Sequence, residues 1–151
     1  MQAFLELHPN SGDRHWLAAK MHLAKAQYEQ ALSAIAADEL AHLRLSISAI
    51  ALHHLGRLQE SETTLQELIT TDGEASAFQV AGVYAQRGDL EATLNWLNVA
   101  LSKRDPGLAE VLSSGSFRPL YGEAAFQRFL SEIGLGELVD WGGLRSQQQS
   151  L

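Results

Sequence analysis

Apolar residues recur at spacings of three and four along most of the chain, as in Leu58, Leu65, Leu68 and Ile69 or in Val80, Val83 and Tyr84. This is the period of an amphipathic helix. No stretch alternates apolar and polar residues over a useful length, so no sheet is expected. The three prolines, Pro9, Pro106 and Pro119, stand where helices begin or end rather than inside apolar runs. The chain between them is predicted to be helical, rich in alanine, leucine, glutamine and glutamate.

The helices repeat. The segments "AKAQYEQAL" from Ala24, "HLGRLQESE" from His54 and "QRGDLEATL" from Gln86 align in register. Each has a small residue at a turn (Ala26, Gly56, Gly88), an apolar anchor two positions on (Tyr28, Leu58, Leu90) and a small residue three further along (Ala31, Ser61, Thr93). The turns are 30 and 32 residues apart, near the period of about 34 of tetratricopeptide helix pairs. A small turn residue lets the chain reverse, and a small residue in the second helix lets the pair approach closely. Ala19, Ala49 and Ala81 play the packing role in the first helices, while Ile35, Leu65 and Leu97 fill the gaps between neighbours. One pair alone cannot bury such faces, so stacking is required.

On these residues the chain resembles the tetratricopeptide repeat family over most of residues 1–105. The best unit is "ASAFQVAGVYAQRGDLEATLNWLNVALSKRDP", where Ala81, Tyr84, Gly88, Leu90, Leu97 and Ala100 fall at the small, aromatic, turn, apolar, apolar and small positions. The resemblance implies an all-α right-handed superhelix of antiparallel helix pairs, with repeats at 12–41, 42–73 and 74–105. Residues 1–11, closing on Pro9, read as the remnant of a preceding unit. The first repeat is degenerate, with His22 at an aromatic position and Asp38 at a small one, so its second helix is expected to be short.

Residues 106–135 are expected to cap the array. Asp105 and Pro106 suit a helix start, Lys103 and Arg104 suit the helix end before it, and "SSGS" stops the short helix that follows. "FRPLYGEAAFQRFLSEIGL" then places Phe126, Phe129, Leu130 and Ile133 on one face, with Glu123, Gln127, Arg128 and Glu132 on the other. This part resembles the closing helices of tetratricopeptide modules at the C-termini of bacterial multidomain regulators. Residues 136–151, rich in glycine and glutamine and containing Trp141, are expected to form a flexible tail.

Composition narrows the function. A hydrophobic share of 46% in 151 residues is enough for a continuous core. With 18 acidic against 11 basic side chains and a formal charge of −7, no basic block offers phosphate a landing surface, so nucleic acid is not an expected partner. No apolar run reaches the roughly 18 residues of a membrane span, and "MQAFLELHPN" lacks the basic start of a secretory leader. The absence of cysteine fits a reducing compartment, and a cytoplasmic location is expected. No phosphate loop, nucleophile elbow or metalloprotease pair occurs, so the chain reads as no enzyme, without cofactor. The adjacent His53 and His54 point about 100° apart on a helix and cannot ligate one metal as an i, i+4 pair would.

In the superhelix that the resemblance implies, the first helices line the concave face. That register places Trp16, Lys20 and Leu23, then Ser46, Ile50, His53 and His54, then Phe78 and Gln86 along a groove, together with Asp13, Leu43, Ala75 and Gly82. Some members of the family grip a carboxylate there with several basic residues and asparagines. Here only Lys20 is of that kind, which favours a groove for an apolar or aromatic segment of a partner or of the same chain, anchored by Trp16 and Phe78. The expected function is a protein-interaction scaffold whose partner is a protein or peptide. Two alternatives are self-association into a homo-oligomer and ligand sensing through the histidines.

Overall fold

The computed structural model describes residues 14–136. The expectations for residues 1–13, including Asp13 and Pro9, and for the tail with Trp141 lie outside that range. Among the described residues everything regular is helical: α1 (Arg14–Ala24), α2 (Tyr28–Ile35), α3 (Ala41–His54), α4 (Leu58–Asp72), α5 (Ala77–Gln86), α6 (Leu90–Ser102) and α7 (Ala124–Glu132), with 3-10 turns at Pro106–Glu110 and Arg118–Leu120. No helix among them is long and apolar enough to cross a membrane.

The turns between helices are built alike. Ala26, Gly56 and Gly88 all take left-handed backbone, at φ of 56°, 79° and 73°. At the second turn the Gly56 N–H donates to His53 O and the Arg57 N–H to Leu52 O, both at 3.0 Å. The same two bonds recur from Ala26 and Gln27 to Leu23 and His22, and from Gly88 and Asp89 to Ala85 and Tyr84. This paired closure satisfies the last carbonyls of each first helix. Alanine adopts this conformation at a penalty of about 1–2 kcal/mol, part of which a more flexible unfolded chain would offset. Ala26→Gly is therefore expected to raise stability by about 0.5–1 kcal/mol, read as a rise in the urea midpoint at unchanged slope; a fall would contradict this account of the turn.

Small residues sit where helices meet. Ala19, Ala49 and Ala81 in the first helices and Ala31, Ser61 and Thr93 in the second are all fully buried, as are Ile35, Leu65 and Leu97. α1 packs on α2 and α3; α3 packs on α4 and α5; α5 packs on α6 and on both 3-10 turns. The core follows as three linked clusters, one around Ala19, Ile35 and Ile47, one around Ile50, Leu65, Leu68 and Val83, and one around Leu97, Phe117, Phe126 and Leu130. Leu23 bridges the first two and Trp96 the last two.

α2 is the shortest of the six paired helices, at 8 residues. Its neighbour Asp38 is 3% exposed; Oδ1 accepts from the Leu40 N–H at 2.9 Å, ahead of α3, its backbone carbonyl accepts from Arg44, and Oδ2 is buried without a partner. Glu39 lies ahead of α3, which has no acidic residue in its first turn. Asp105 does cap the next element, Oδ1 accepting from Gly107 N–H at 2.8 Å, and that element is a 3-10 turn rather than an α-helix. α7 buries Phe126, Phe129 and Leu130 and exposes Glu123, Arg128 and Glu132 beside it.

Candidate functional site, a cleft under the chain's own C-terminal segment

Residues 105–121 do not continue away from the repeats; they fold back over α5. The joint is Asp105, whose Oδ2 accepts from the Phe78 N–H at 3.3 Å while Oδ1 holds Gly107. Gly107 lies flush on the Phe78 ring, and a Cβ there would come within 2.7 Å of it. The ring of Phe117, fully buried, sits 5.3 Å from Phe78 and 6.0 Å from Phe126, centroid to centroid. Farther along α5, Gln86 Nε2 donates to Ser116 O at 2.8 Å, and a Cβ on Gly82 would lie 3.4 Å from Ser116 Cβ. Tyr121 closes the loop by donating its O–H to Leu112 O at 2.9 Å; burial pushes its phenol pKa up.

This segment and the first helices enclose a cleft in two parts. The larger, about 650 Å³, lies between Lys20, Leu23 and Ala24 of α1, Ile50 of α3, Gln86 of α5 and the loop Ser113–Pro119. The smaller, about 250 Å³, runs from Trp16 past Leu43, Ser46 and Ile50 to Phe78, Gln79 and Gly82, with Glu110 and Phe117 on the opposite wall. Lys20, Leu23, Ile50, Ser114 and Ser116 belong to both.

Of the residues expected along a groove, Trp16, Lys20, Leu23, Ser46, Ile50, Phe78 and Gln86 line one part or the other. Phe78 differs from its expected role as an open aromatic anchor. It is 7% exposed and belongs to the third core cluster, because the chain's own Gly107 and Phe117 cover it. His53 and His54 line neither part. His54 is exposed, stacks on Tyr28 of α2 at 4.7 Å and shares a 2.8 Å hydrogen bond between its Nε2 and Gln86 Oε1. With Gln86 Oε1 as acceptor, His54 Nε2 carries the proton. One glutamine thus ties α3 to the loop that walls the cleft. Ala75, expected in the groove, is exposed and precedes α5.

Sequence reasoning missed the opposite wall altogether. "SSGS" reads as a helix stop and "FRPL" as a helix start, yet Ser114, Ser116, Phe117 and Pro119 face α1, α3 and α5 across the cleft. Nothing local to those residues says which surface the loop returns to. Two glycines mark the contact once the fold is known: a Cβ on Gly107 would collide with Phe78, and one on Gly82 would touch Ser116.

The frame beside the cleft is held by a polar clamp. Arg87, at the end of α5, donates from Nη1 to Glu62 Oε2 at 2.7 Å and from Nη2 to Ser61 Oγ at 2.8 Å. Ser61 Oγ donates in turn to Ala49 O in α3 at 2.7 Å, so three helices share one network, buried at Ser61 and partly exposed at Glu62. Hydrogen bonds from Arg87, then Gln66, hold the Glu62 carboxyl below its ordinary pKa. Nearby, burial foremost, then the neighbouring His54 and the charge of Arg87, lowers the pKa of His53 below 6.5. A depressed histidine takes up its proton more readily in the unfolded chain, so its contribution to stability is lost as pH falls from about 6.5 towards its folded value. The urea midpoint should therefore fall further between about pH 7.5 and about pH 5.5 in the native chain than in His53→Gln; equal falls would contradict the assignment.

Among the described residues no group of three or more histidine, aspartate or glutamate side chains is placed to hold a metal ion. Comparison with family models, with curated proteins and with solved structures gives no match to this chain.

Proposed function

We propose that the chain is a tetratricopeptide-like scaffold without chemistry of its own, a module of a larger regulatory assembly that receives a segment of a protein partner along its first helices. The single observation that supports this reading is the cleft itself. Residues of successive first helices, the half-buried Trp16 and Leu23 of α1 and the buried Ser46 and Ile50 of α3, meet along one cleft. The third helix of that row already holds an aromatic segment, Phe117 seated against Phe78. The chain thus carries its own example of what the surface accepts, an apolar segment anchored by a ring.

Photocrosslinking tests the reading. A benzophenone amino acid placed at Leu43 or Gln79, both on the smaller part of the cleft, is expected to capture a partner in a lysate of the organism that encodes the chain, while the same probe at the exposed Gln66 of α4 does not. Capture from Gln66 alone would move the binding surface to the second helices. Crosslinks only between copies of the chain would replace the scaffold by self-association.

A further inference from the structure

Lys20 stands at the junction of both parts of the cleft, half-buried, its Nζ 5.0 Å from the centroid of the Trp16 ring. The salt bridges of the described residues, Arg57 to Glu60, Arg87 to Glu62 and Lys103 to Glu74, leave it out. A long cationic side chain ordinarily lays its stem on apolar surface and carries its charge into open water. Here burial lowers the lysine pKa below 10.5, and the charge of Glu110 offsets that only in part. Glu110 is exposed and borders the smaller part alone. The larger part has Lys20 on its wall and no carboxylate, in a chain of formal charge −7. Its remaining chemistry is amphipathic. Leu23, Ile50 and Pro119 supply apolar surface, and Ser114 and Ser116 supply the polar part of the lining. Ser114 Oγ accepts from the Ser116 N–H at 3.3 Å, which leaves its own proton to donate.

Size points the same way. About 650 Å³ lies within the range of pockets that hold a small molecule. One turn of a helix with its side chains fills roughly 400–600 Å³. While residues 105–121 stay in place the larger part therefore admits little more than one turn of a partner, but it accommodates a compact ligand whole.

We propose that the larger part of the cleft is a binding site for a small amphipathic anion, a monocarboxylate with an apolar body. Its charged end is seated on Lys20 and the Ser114–Ser116 turn, and its apolar end on Leu23 and Ile50. The proposal goes beyond the scaffold reading and does not depend on it, since a ligand can occupy this part with no protein partner present.

The test uses octanoate, its uncharged near-isostere octanamide, and amide resonances of the full chain followed by NMR. Octanoate is expected to give saturable shifts at Lys20–Ala24, Ile50, Gln86 and Ser113–Arg118. Octanamide should bind roughly tenfold or more weakly, the loss of a hydrogen bond to a charged partner. Lys20→Met should reduce octanoate to the octanamide level without lowering the unfolding midpoint, because it removes a desolvated charge. Saturable shifts of equal affinity for the two probes would overturn the proposal and make the cleft an apolar seat only. No saturable shift at these residues, or full octanoate affinity in folded Lys20→Met, would overturn it as well.

Discussion

Phe117→Ala is expected to lower the stability of the chain by about 3–5 kcal/mol. The ring is fully buried, contacts Phe78 and Phe126, and joins the returning segment to the core around α5. Truncation removes the transfer free energy of the ring and leaves a void among Phe78, Phe126 and Val111, which belong to one packed cluster. Leu101→Ala serves as the control, since Leu101 is 44% exposed and its loss should stay within about 0.5 kcal/mol. Urea denaturation followed by circular dichroism reads both. A Phe117→Ala loss no larger than the control would mean that the segment does not dock on α5 as described. The effect also has a place: amide exchange should quicken first at the start of α5 and in residues 105–121, which share the Asp105 and Gln86 hydrogen bonds.

Ser61→Leu is expected to be comparably severe, at about 3–5 kcal/mol, for two reasons that add. Ser61 is fully buried between α3 and α4, so a larger side chain must force the helices apart, at about 1–3 kcal/mol. The same change removes the acceptor of Arg87 Nη2 and the donor to Ala49 O. Arg87 Nε is already buried without a partner, so its guanidinium would lose another contact in a site with little water. Ser61→Ala separates the two effects. It strips the hydroxyl without adding volume and should cost about 1.5–3 kcal/mol, the range of a hydrogen bond to a charged group. If Ser61→Leu and Ser61→Ala are equal, close helix approach is not what the small residue provides.

The contrast between these two sites explains what could be read from residues alone. Ser61 was legible because its role is periodic: Ala31 and Thr93 do the same work one unit away, and the turn residues Ala26, Gly56 and Gly88 share one backbone conformation. Periodicity reports contacts between adjacent helices, where sequence separation is short and the geometry repeats. Phe117 was not legible in that way. Its position depends on a return of the chain across α5, from Asp105 near Phe78 to Ser116 near Gly82 and Gln86, and no residue pattern encodes the direction of such a return. Phe78 shows the consequence. Its place on the inward side of a first helix followed from the register, whereas its burial follows from a segment about 30 to 40 residues downstream, Gly107 to Phe117. His54 shows a smaller version. Its partner Gln86 lies 32 residues on, one unit away, so the pair needed the stacking of α3 on α5 to be seen.

The docking of residues 105–121 over α5 makes the cleft, and one covalent measurement tests it. The chain has no cysteine, and the Cβ positions of Gly82 and Ser116 lie 3.4 Å apart, near the 3.5–4.5 Å that a disulfide spans. A Gly82→Cys, Ser116→Cys chain is predicted to oxidise within the monomer and to gain stability of up to about 3–4 kcal/mol over its reduced form, as expected for closing a loop of this length. Thiols that stay reduced under mild oxidation, or that link only between chains, would contradict the account.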